Sequence, residues 1–521
     1  MTHSRDGVGA VFPATVGPSR VLAGLGWQRL HPVDAADAVR KSRWLFVLLC
    51  CFIGSQVYTV PILPLGPWPL WPGLPDVLFG ALGIAWLFMP RSYAAPTGVR
   101  RTVFHFLFAL TVVCAVSYVM GTVLIPNLNS LSFGANQQGI SFGLLGIARL
   151  IQFVVLYRIA ISVPYTPFRL RVLRRVVTGA FLLVAVSVLI TFHNAVPTSA
   201  LAPLLPDDEE TAGAWWYYLH NFDGYGLGAI SYTHAYVAAQ LTLLLGLASH
   251  LRGPHAGVGN SLLISLALVA SLLSGSRAGF AGVLLVAGVF FLTISPAWKI
   301  VCTLTLALLA VGGGGVFSSQ PPIAGGDGPF ASIVHHQFDV FHLYQADNLV
   351  GREAIWSGRL DNLNDHSWRW FTGWGFGSSP DTGPGLTPHM LPLQVIMELG
   401  VGMLAVIALF CAMVLRQIWF RERLDHPFFW TTIALLASSV TQETFYPMPS
   451  TGYFSGFYLV ALAIVLRAPP DASASHPAPG TSASRPVATS SPPDGHECPP
   501  GKITSESGTQ PVGATARHPP S

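Results

Sequence analysis

Three arginines and one histidine have types and positions that could do chemistry in this sequence: Arg277, Arg352, Arg359 and His389. A guanidinium group binds phosphate oxygens through paired hydrogen bonds, and an imidazole exchanges protons near neutral pH. Arg352 and Arg359 stand at i and i+7, so they share a face if their segment is helical. The set is typical of a site that holds a phosphate-bearing substrate and moves a proton.

The first arginine lies in a short turn, Ser274–Gly279, between two apolar runs. We expect the next helix to run inward across a membrane, so that its N-terminal N–H groups face outward. With Arg277 beside it, that helix end would attract an anion. The alternative is a snorkelling arginine that anchors the helix end. We favour anion binding because the other short outward connectors contain no Lys or Arg.

A polar insert at 318–390 separates two strongly apolar segments. Within it, the pattern at 351–363 predicts a short helix whose inner face carries Arg352, Trp356 and Arg359. An aromatic ring between two guanidinium groups suits a site for both phosphate and sugar. The alternative is a surface amphipathic helix in which the arginines pair with acids, and for Arg359 the two interpretations stay open.

His389 lies at the C-terminal end of the insert, directly before Met390. Thr387 is a natural N-cap and Pro388 a natural first residue for the following helix, which places His389 in the first helical turn. Because a helix N-terminus disfavours the imidazolium form, we expect a neutral histidine that can accept a proton from a hydroxyl. The alternative is an interfacial histidine satisfied by a backbone contact. The outward arginines favour the catalytic interpretation.

Two carboxylates could support this histidine. Glu443, at the outer end of the eleventh apolar run, is the candidate for orienting it or contacting substrate. Glu398 lies on one helix face with Gln394 and is better explained as a packing group.

Other motifs of the insert do not indicate a cofactor. The glycine turn, Gly373–Gly377, lacks the Lys-Ser/Thr ending of a phosphate-binding loop, so we predict a turn that brings the insert back over the membrane. The insert also contains several metal-ligand residue types without tight metal-ligand spacing: His335, His336, His342 and Asp339. We therefore expect no metal, no other cofactor and no nucleic-acid partner.

Composition determines the setting of these residues. Of the 521 residues 51% are apolar and 10% charged, and apolar runs of roughly 20 residues recur, each long enough to cross a bilayer. The fold class is therefore all-α, a polytopic integral membrane protein with about twelve spans and one long extracytoplasmic loop between the ninth and tenth. The predicted spans lie near 44–62, 72–90, 102–125, 139–161, 173–193, 226–249, 258–274, 279–296, 298–317, 391–415, 428–446 and 453–467.

The domain organisation follows from these spans. We predict a cytoplasmic tail (1–43), helices one to nine (44–317), the extracytoplasmic loop as a lid (318–390), helices ten to twelve (391–467) and a disordered cytoplasmic tail (468–521).

Lysine and arginine determine the orientation. With the N-terminus inside, nearly all basic residues fall in inner connectors, whereas connectors 62–71, 126–138 and 194–225 have none. This predicts a multi-pass protein of the cytoplasmic (inner) membrane with both termini cytoplasmic. Arg149 falls inside the fourth span, where it either serves function or pairs with a carboxylate or backbone carbonyls.

Several motifs together resemble the O-antigen ligase family, which includes Wzy-type polymerases and protein O-oligosaccharyltransferases. They are Ser-Gly-Ser-Arg-Ala-Gly opening a helix, Gly-Arg-Glu-Ala-Ile-Trp in a long outer loop, the glycine turn, and His389 before Leu-Pro-Leu-Gln-Val-Ile-Met-Glu-Leu-Gly. One departure is Met390, where family members often have asparagine.

The resemblance implies a glycosyltransferase that moves a glycan from an undecaprenyl-pyrophosphate carrier to a hydroxyl of a lipid, glycan or protein acceptor, with inversion and without metal. It implies that Arg277 and Arg352 hold the pyrophosphate and that His389 is the base. Membrane lipids surround the site. The alternatives are a polymerase that extends the lipid-linked glycan, and a transporter, which is less favoured because no internal repeat is visible.

Overall fold

The computed structural model describes most of the helical part of the chain. The described residues are 39–59, 72–88, 98–124, 138–192, 234–252, 257–293, 297, 299–300, 303–304, 350–382, 387–422, 427–448 and 453–467. Four predictions fall wholly or largely outside these residues: the N-terminal tail, the ninth span, the first part of the insert (318–349) and the C-terminal tail.

The described residues form helices joined by turns. In chain order the helices are α1 (Arg43–Ser55), α2 (Leu74–Leu87), α3 (Val99–Ser117), α4 (Gln138–Ser162), α5 (Pro167–Thr191), α6 (His234–Arg252), α7 (Gly257–Leu273), α8 (Arg277–Thr293), α9 (Val350–Asp365), α10 (Arg369–Thr372), α11 (Leu391–Glu422), α12 (Pro427–Ser438) and α13 (Tyr453–Val465). A π-helical stretch, Tyr118–Leu124, extends α3. Every predicted span except the ninth overlaps one of these helices.

Several helices are suited to a bilayer. Within the described residues, four are long and apolar enough to cross a membrane: Val99–Gly121, Gly139–Ser162, Pro167–Thr191 and Leu391–Phe420. Their outer faces expose large apolar side chains such as Leu183 and Leu409, which lipid would cover. The chain is thus an α-helical membrane protein, and twelve crossings stay a prediction.

Two helices form the centre of the bundle. The middle of α6, from Val237 to Ser249, is buried on every side and packs on α5, α8 and α12, while α13 is buried along its whole length and packs on α4. An apolar helix without a polar face is typical of a core position.

Charged side chains inside the bundle have partners. Arg149 pairs with Asp76 and donates a 2.8 Å hydrogen bond to Gln152, which favours the pairing interpretation of that residue. Arg100 donates to the Ala463 carbonyl at 2.8 Å, and Arg169 donates to Ser42 at 2.8 Å. These bonds join helices that are distant in sequence, so we assign the three arginines to structure.

A break in α11 positions the insert. Gly400 has φ 82° and ψ 168°, which interrupts the helix and leaves preceding carbonyls without helical donors. The Trp374 N–H donates to the Met397 carbonyl at 2.7 Å, and the Gly375 N–H donates to the Glu398 carbonyl at 3.1 Å. The glycine turn thereby completes the hydrogen bonding of the broken helix.

The glycine turn has partners that the sequence did not predict. We expected a turn that brings the insert back over the membrane, and in the structure this turn packs between α3, α4 and α11. The Phe376 N–H donates to Ser117 on α3 at 3.1 Å, and the Phe376 ring is 2% exposed. The turn lies there because its N–H groups bond to the carbonyls that the break in α11 leaves free. Periodicity in the sequence does not reveal such backbone bonds.

Replacing Gly400 by alanine should destabilise the protein. A Cβ at this position would overlap the Phe371 carbonyl group, and the positive φ is itself unfavourable for alanine. We expect a loss of about 1–3 kcal/mol or more, measured as a lower thermal unfolding midpoint in detergent. Gly402→Ala is the matched control, since it has open space and should change stability by less than about 1 kcal/mol. Equal midpoints for the two variants would contradict this account of the break.

Candidate active site

Helix α9 presents the predicted face inward. Arg359 is fully buried, Arg352 and Trp356 are partly buried, and Glu353 on the opposite side is exposed. The predicted helix at 351–363 is therefore confirmed within α9.

The loop before α11 differs from its prediction. The helix begins at Leu391, and His389 lies outside it with φ 51°. His389 is the one non-glycine residue with positive φ in the described part of the chain. The prediction of a first-turn histidine capped by Thr387 was wrong because the loop's polar groups bond to other segments. Backbone strain of this kind is concentrated at functional sites.

Three hydrogen bonds hold this loop in place. The Trp356 indole on α9 donates to the Pro388 carbonyl at 2.7 Å. The Leu391 N–H donates to the Ser439 carbonyl at 3.0 Å, and the Thr387 hydroxyl donates to the Glu443 carboxylate. The loop is thus tied to α9 on one side and to the segment after α12 on the other, which restricts where the imidazole can lie.

His389 and Glu443 form an acid–base pair. The imidazole Nδ1 lies 3.1 Å from Glu443 Oε1, the glutamate is 7% exposed and the histidine 52% exposed. Glu443 therefore orients the ring from the buried side, and Nε2 is the nitrogen that remains to exchange a proton with a substrate.

The pair reverses one electrostatic expectation. We predicted that the helix N-terminus would keep His389 neutral, but the hydrogen bond that its imidazole donates to Glu443 raises the pKa of His389 against the opposing effects of burial and of Arg352 and Arg359. Burial raises the pKa of Glu443. The hydrogen bond from His389, the charge of His389 and the hydrogen bond from the Thr387 hydroxyl outweigh burial, so the pKa of Glu443 is lowered overall. A buried carboxylate at 3.1 Å therefore has a stronger electrostatic effect on the imidazole than the dipole of the following helix.

Arg352 adjoins this pair. Its guanidinium donates a 3.0 Å hydrogen bond to the Thr441 carbonyl, two residues before Glu443. Burial lowers the pKa of Arg352, the charge of Glu443 raises it and the charge of Arg277 lowers it. Glu443 and Arg277 therefore both lie within electrostatic range of Arg352. The structure thereby brings together Arg352, His389 and Glu443 from three separate segments, with Arg277 of a fourth segment within electrostatic range of Arg352.

The start of α8 carries Arg277 as predicted. The Ser276 hydroxyl accepts a 3.2 Å hydrogen bond from the Gly279 N–H and so caps the helix. One of the N–H groups that we expected to face an anion is therefore already satisfied by the chain. The charge of Arg277 and the helix dipole remain as the groups that would attract an anion to this turn.

Arg359 has a different position from Arg352. Its guanidinium donates to the Ser379 carbonyl at 3.1 Å and hydroxyl at 2.8 Å. Burial lowers the pKa of Arg359 to about 10, so the side chain stays charged at neutral pH. The geometry favours a structural role for this residue, although it is buried with Ser379 as a partner and does not lie at the surface.

A chain of hydrogen bonds continues from Ser379 into the bundle. The Ser379 hydroxyl donates to Gln394 at 3.1 Å, Gln394 donates to Glu398 at 2.6 Å, and the Tyr446 hydroxyl donates to Glu398 at 2.7 Å. Glu398 is thus a packing group shared with Gln394, as the sequence suggested. The chain links α9 through α11 to the segment that carries Glu443.

Sequence reasoning missed one contact and one residue of the site. Trp356 was assigned to a sugar-binding face, and its bond to the Pro388 carbonyl had no signal in the sequence. Thr441 takes part through its carbonyl group, which every residue has. Among the described residues no group of three or more His, Cys, Asp or Glu could hold a metal ion, and the histidines at 335, 336 and 342 lie outside those residues.

Comparison with known proteins adds no relative. No protein-family model matches the chain, and no curated protein matches its sequence. The functional argument therefore rests on the site.

Substituting Glu443 by glutamine should lower the pKa of His389. The wild-type imidazole should titrate above its ordinary value of 6.5 because the carboxylate stabilises its protonated form. Diethyl pyrocarbonate modifies neutral imidazole, so the pH midpoint for modification of His389, followed by mass spectrometry, should move to lower pH in Glu443→Gln. Glu353→Gln, on the exposed face of α9, is the matched control and should leave it unchanged. An unchanged midpoint in Glu443→Gln would sink the assigned pair.

Proposed function

We propose that this protein is a membrane glycosyltransferase, similar to O-antigen ligases, that moves a glycan from an undecaprenyl-pyrophosphate carrier to an acceptor hydroxyl. The observation that carries the proposal is the His389–Glu443 pair beside Arg352, with Arg277 within electrostatic range. An oriented base next to clustered guanidinium groups suits transfer from a donor whose leaving group is a pyrophosphate.

The two arginines would hold the donor. The charge of Arg277 lowers the pKa of Arg352, so the two guanidinium groups are close enough to act on one ligand. A pyrophosphate with several negative charges would accept paired hydrogen bonds from both groups. As the bond between the sugar C1 and the pyrophosphate breaks, the electron pair leaves with the phosphate oxygen, and the arginines stabilise the charge that develops there.

His389 would activate the acceptor. Its Nε2 takes the proton of the acceptor hydroxyl while that oxygen forms a bond to C1 on the face opposite the leaving group. Glu443 stabilises the resulting imidazolium from the Nδ1 side. Attack from the opposite face predicts inversion at C1, and the step needs neither a metal nor another cofactor.

The membrane arrangement belongs to the same proposal. Twelve spans with both termini in the cytoplasm would place the turn at Arg277, the insert and Glu443 on the outer side of the inner membrane. This arrangement is supported by the contacts of the insert with the segment that carries Glu443 and by the electrostatic effect of Arg277 on Arg352. A lipid-linked donor and an acceptor exported to that side would reach the site from the same face.

Transfer assays on the purified full-length protein test this function. The donor is a fluorescent oligosaccharide on undecaprenyl pyrophosphate, and the acceptors are a glycolipid, a free oligosaccharide and a serine-containing peptide. His389→Ala should reduce kcat by about 100-fold or more, the usual contribution of a general base. Arg277→Ala and Arg352→Ala should each reduce kcat/KM for the donor by about tenfold to hundredfold, as expected for charge-assisted hydrogen bonds.

Arg101→Ala provides the control for removing an arginine, since Arg101 is exposed and pairs only with neighbouring His105 in the described hydrogen bonds. It should retain wild-type activity. Transfer that persists in His389→Ala and Arg277→Ala, or that is absent from the wild type with every acceptor, would refute the proposal.

A further inference from the structure

The second part of the insert carries an exposed aromatic pair that the proposed site does not use. Trp368, the N-cap of the short helix α10, is 52% exposed, and Phe371, three residues further on within that helix, is 74% exposed. Large aromatic side chains exposed next to each other favour contact with a partner over contact with water. We call Trp368 and Phe371 the aromatic patch.

The depth of the patch follows from its contacts with α11. The Phe371 carbonyl group lies directly against Gly400, where α11 breaks. From Gly400 to Arg416 the helix rises by about 24 Å at 1.5 Å per residue. A bilayer hydrocarbon core is roughly 30 Å thick. With Arg416 at the inner surface, Phe371 lies within the outer part of the core or at its edge.

The neighbouring surface of α11 agrees with this depth. On the N-terminal side of Gly400, residues 393–398 are almost entirely buried beneath the insert. On its C-terminal side α11 exposes Val401, Val406 and Leu409, as a lipid-facing helix does. Gly400 thus marks the boundary between the part of α11 that the insert covers and the part that faces lipid. The aromatic patch lies at this boundary and continues the lipid-facing surface.

The segment is built to stay at that boundary. The Arg369 guanidinium lies 3.7 Å from the Trp368 ring centroid and 4.3 Å from the Trp374 ring centroid, and donates to the Gly373 carbonyl at 3.0 Å. Its charge is thus covered by two aromatic rings and a carbonyl. Tryptophan and arginine in this combination are typical of the membrane–water interface.

We infer that the segment Trp368–Gly377 is a re-entrant element of the outer leaflet, in which the aromatic patch contacts lipid acyl chains and the glycine turn is anchored on the break of α11. The partner is the bilayer itself. The inference rests on the proposed membrane arrangement and does not depend on the proposed activity. The insert is accordingly fastened to the membrane at this point.

Fluorescence quenching by lipids tests the inference. Phe371→Cys and Trp368→Cys are prepared in the full-length chain with its native cysteines replaced, labelled with an environment-sensitive fluorophore and reconstituted into phosphatidylcholine vesicles. The vesicles contain lipids with a nitroxide in the headgroup, near the glycerol end of the acyl chain, or near its methyl end. Ser357→Cys, exposed on the outer side of α9, is the matched control.

We expect blue-shifted emission at positions 371 and 368, with several-fold stronger quenching by the nitroxide near the glycerol end than at position 357. A label at position 357 should behave as a water-exposed group. One result would overturn the inference: labels at 371 and 368 that are no more quenched than the control at 357. Using both 371 and 368 keeps the test decisive if one variant does not fold.

Discussion

The arrangement of the insert depends on two backbone hydrogen bonds, from the N–H groups of Trp374 and Gly375 to the carbonyls of Met397 and Glu398. In a bilayer, an interrupted helix must satisfy its freed carbonyls from protein, since lipid offers no donors. The glycine turn supplies those donors, and Gly400 supplies the space for them. From this junction the chain leads back through α10 to α9 and forward to the start of α11, so one contact positions both sides of the candidate site.

Electrostatics explains why the site residues are tied so firmly. Two arginines, a histidine and a buried glutamate gather at the edge of an apolar bundle, where unpaired charge is expensive. The chain compensates by anchoring each neighbour: Arg352 to the Thr441 carbonyl, Thr387 to Glu443, and Pro388 to the Trp356 indole. Arg359 and the polar chain from Ser379 to Glu398 support them from behind. A site of this construction tolerates strain at His389, because its surroundings determine the backbone there.

The accuracy of prediction differed with the range of the interaction involved. The face of α9 was predicted correctly because helical periodicity is local, and helix positions followed from continuous apolar runs. The direction expected for the pKa of His389 was wrong because the stronger influence, Glu443, comes from a different segment. The partners of the glycine turn, which are carbonyls of α11, were not predicted for the same reason. Arg149 was left open, and Asp76 decided it.

The sequence by itself determined an α-helical membrane protein, an amphipathic helix in its polar insert and a short list of residues able to do chemistry. These properties follow from composition and from periodicities within one segment. Only the tertiary structure decided that Glu443 pairs with His389 and that Arg359 is structural while Arg352 adjoins the pair. It also decided that the glycine turn of the insert bonds to the carbonyls at the break in α11. Each of those depends on groups distant in sequence, often backbone N–H and carbonyl groups that every residue carries, so that their pairing leaves no pattern in the residue types.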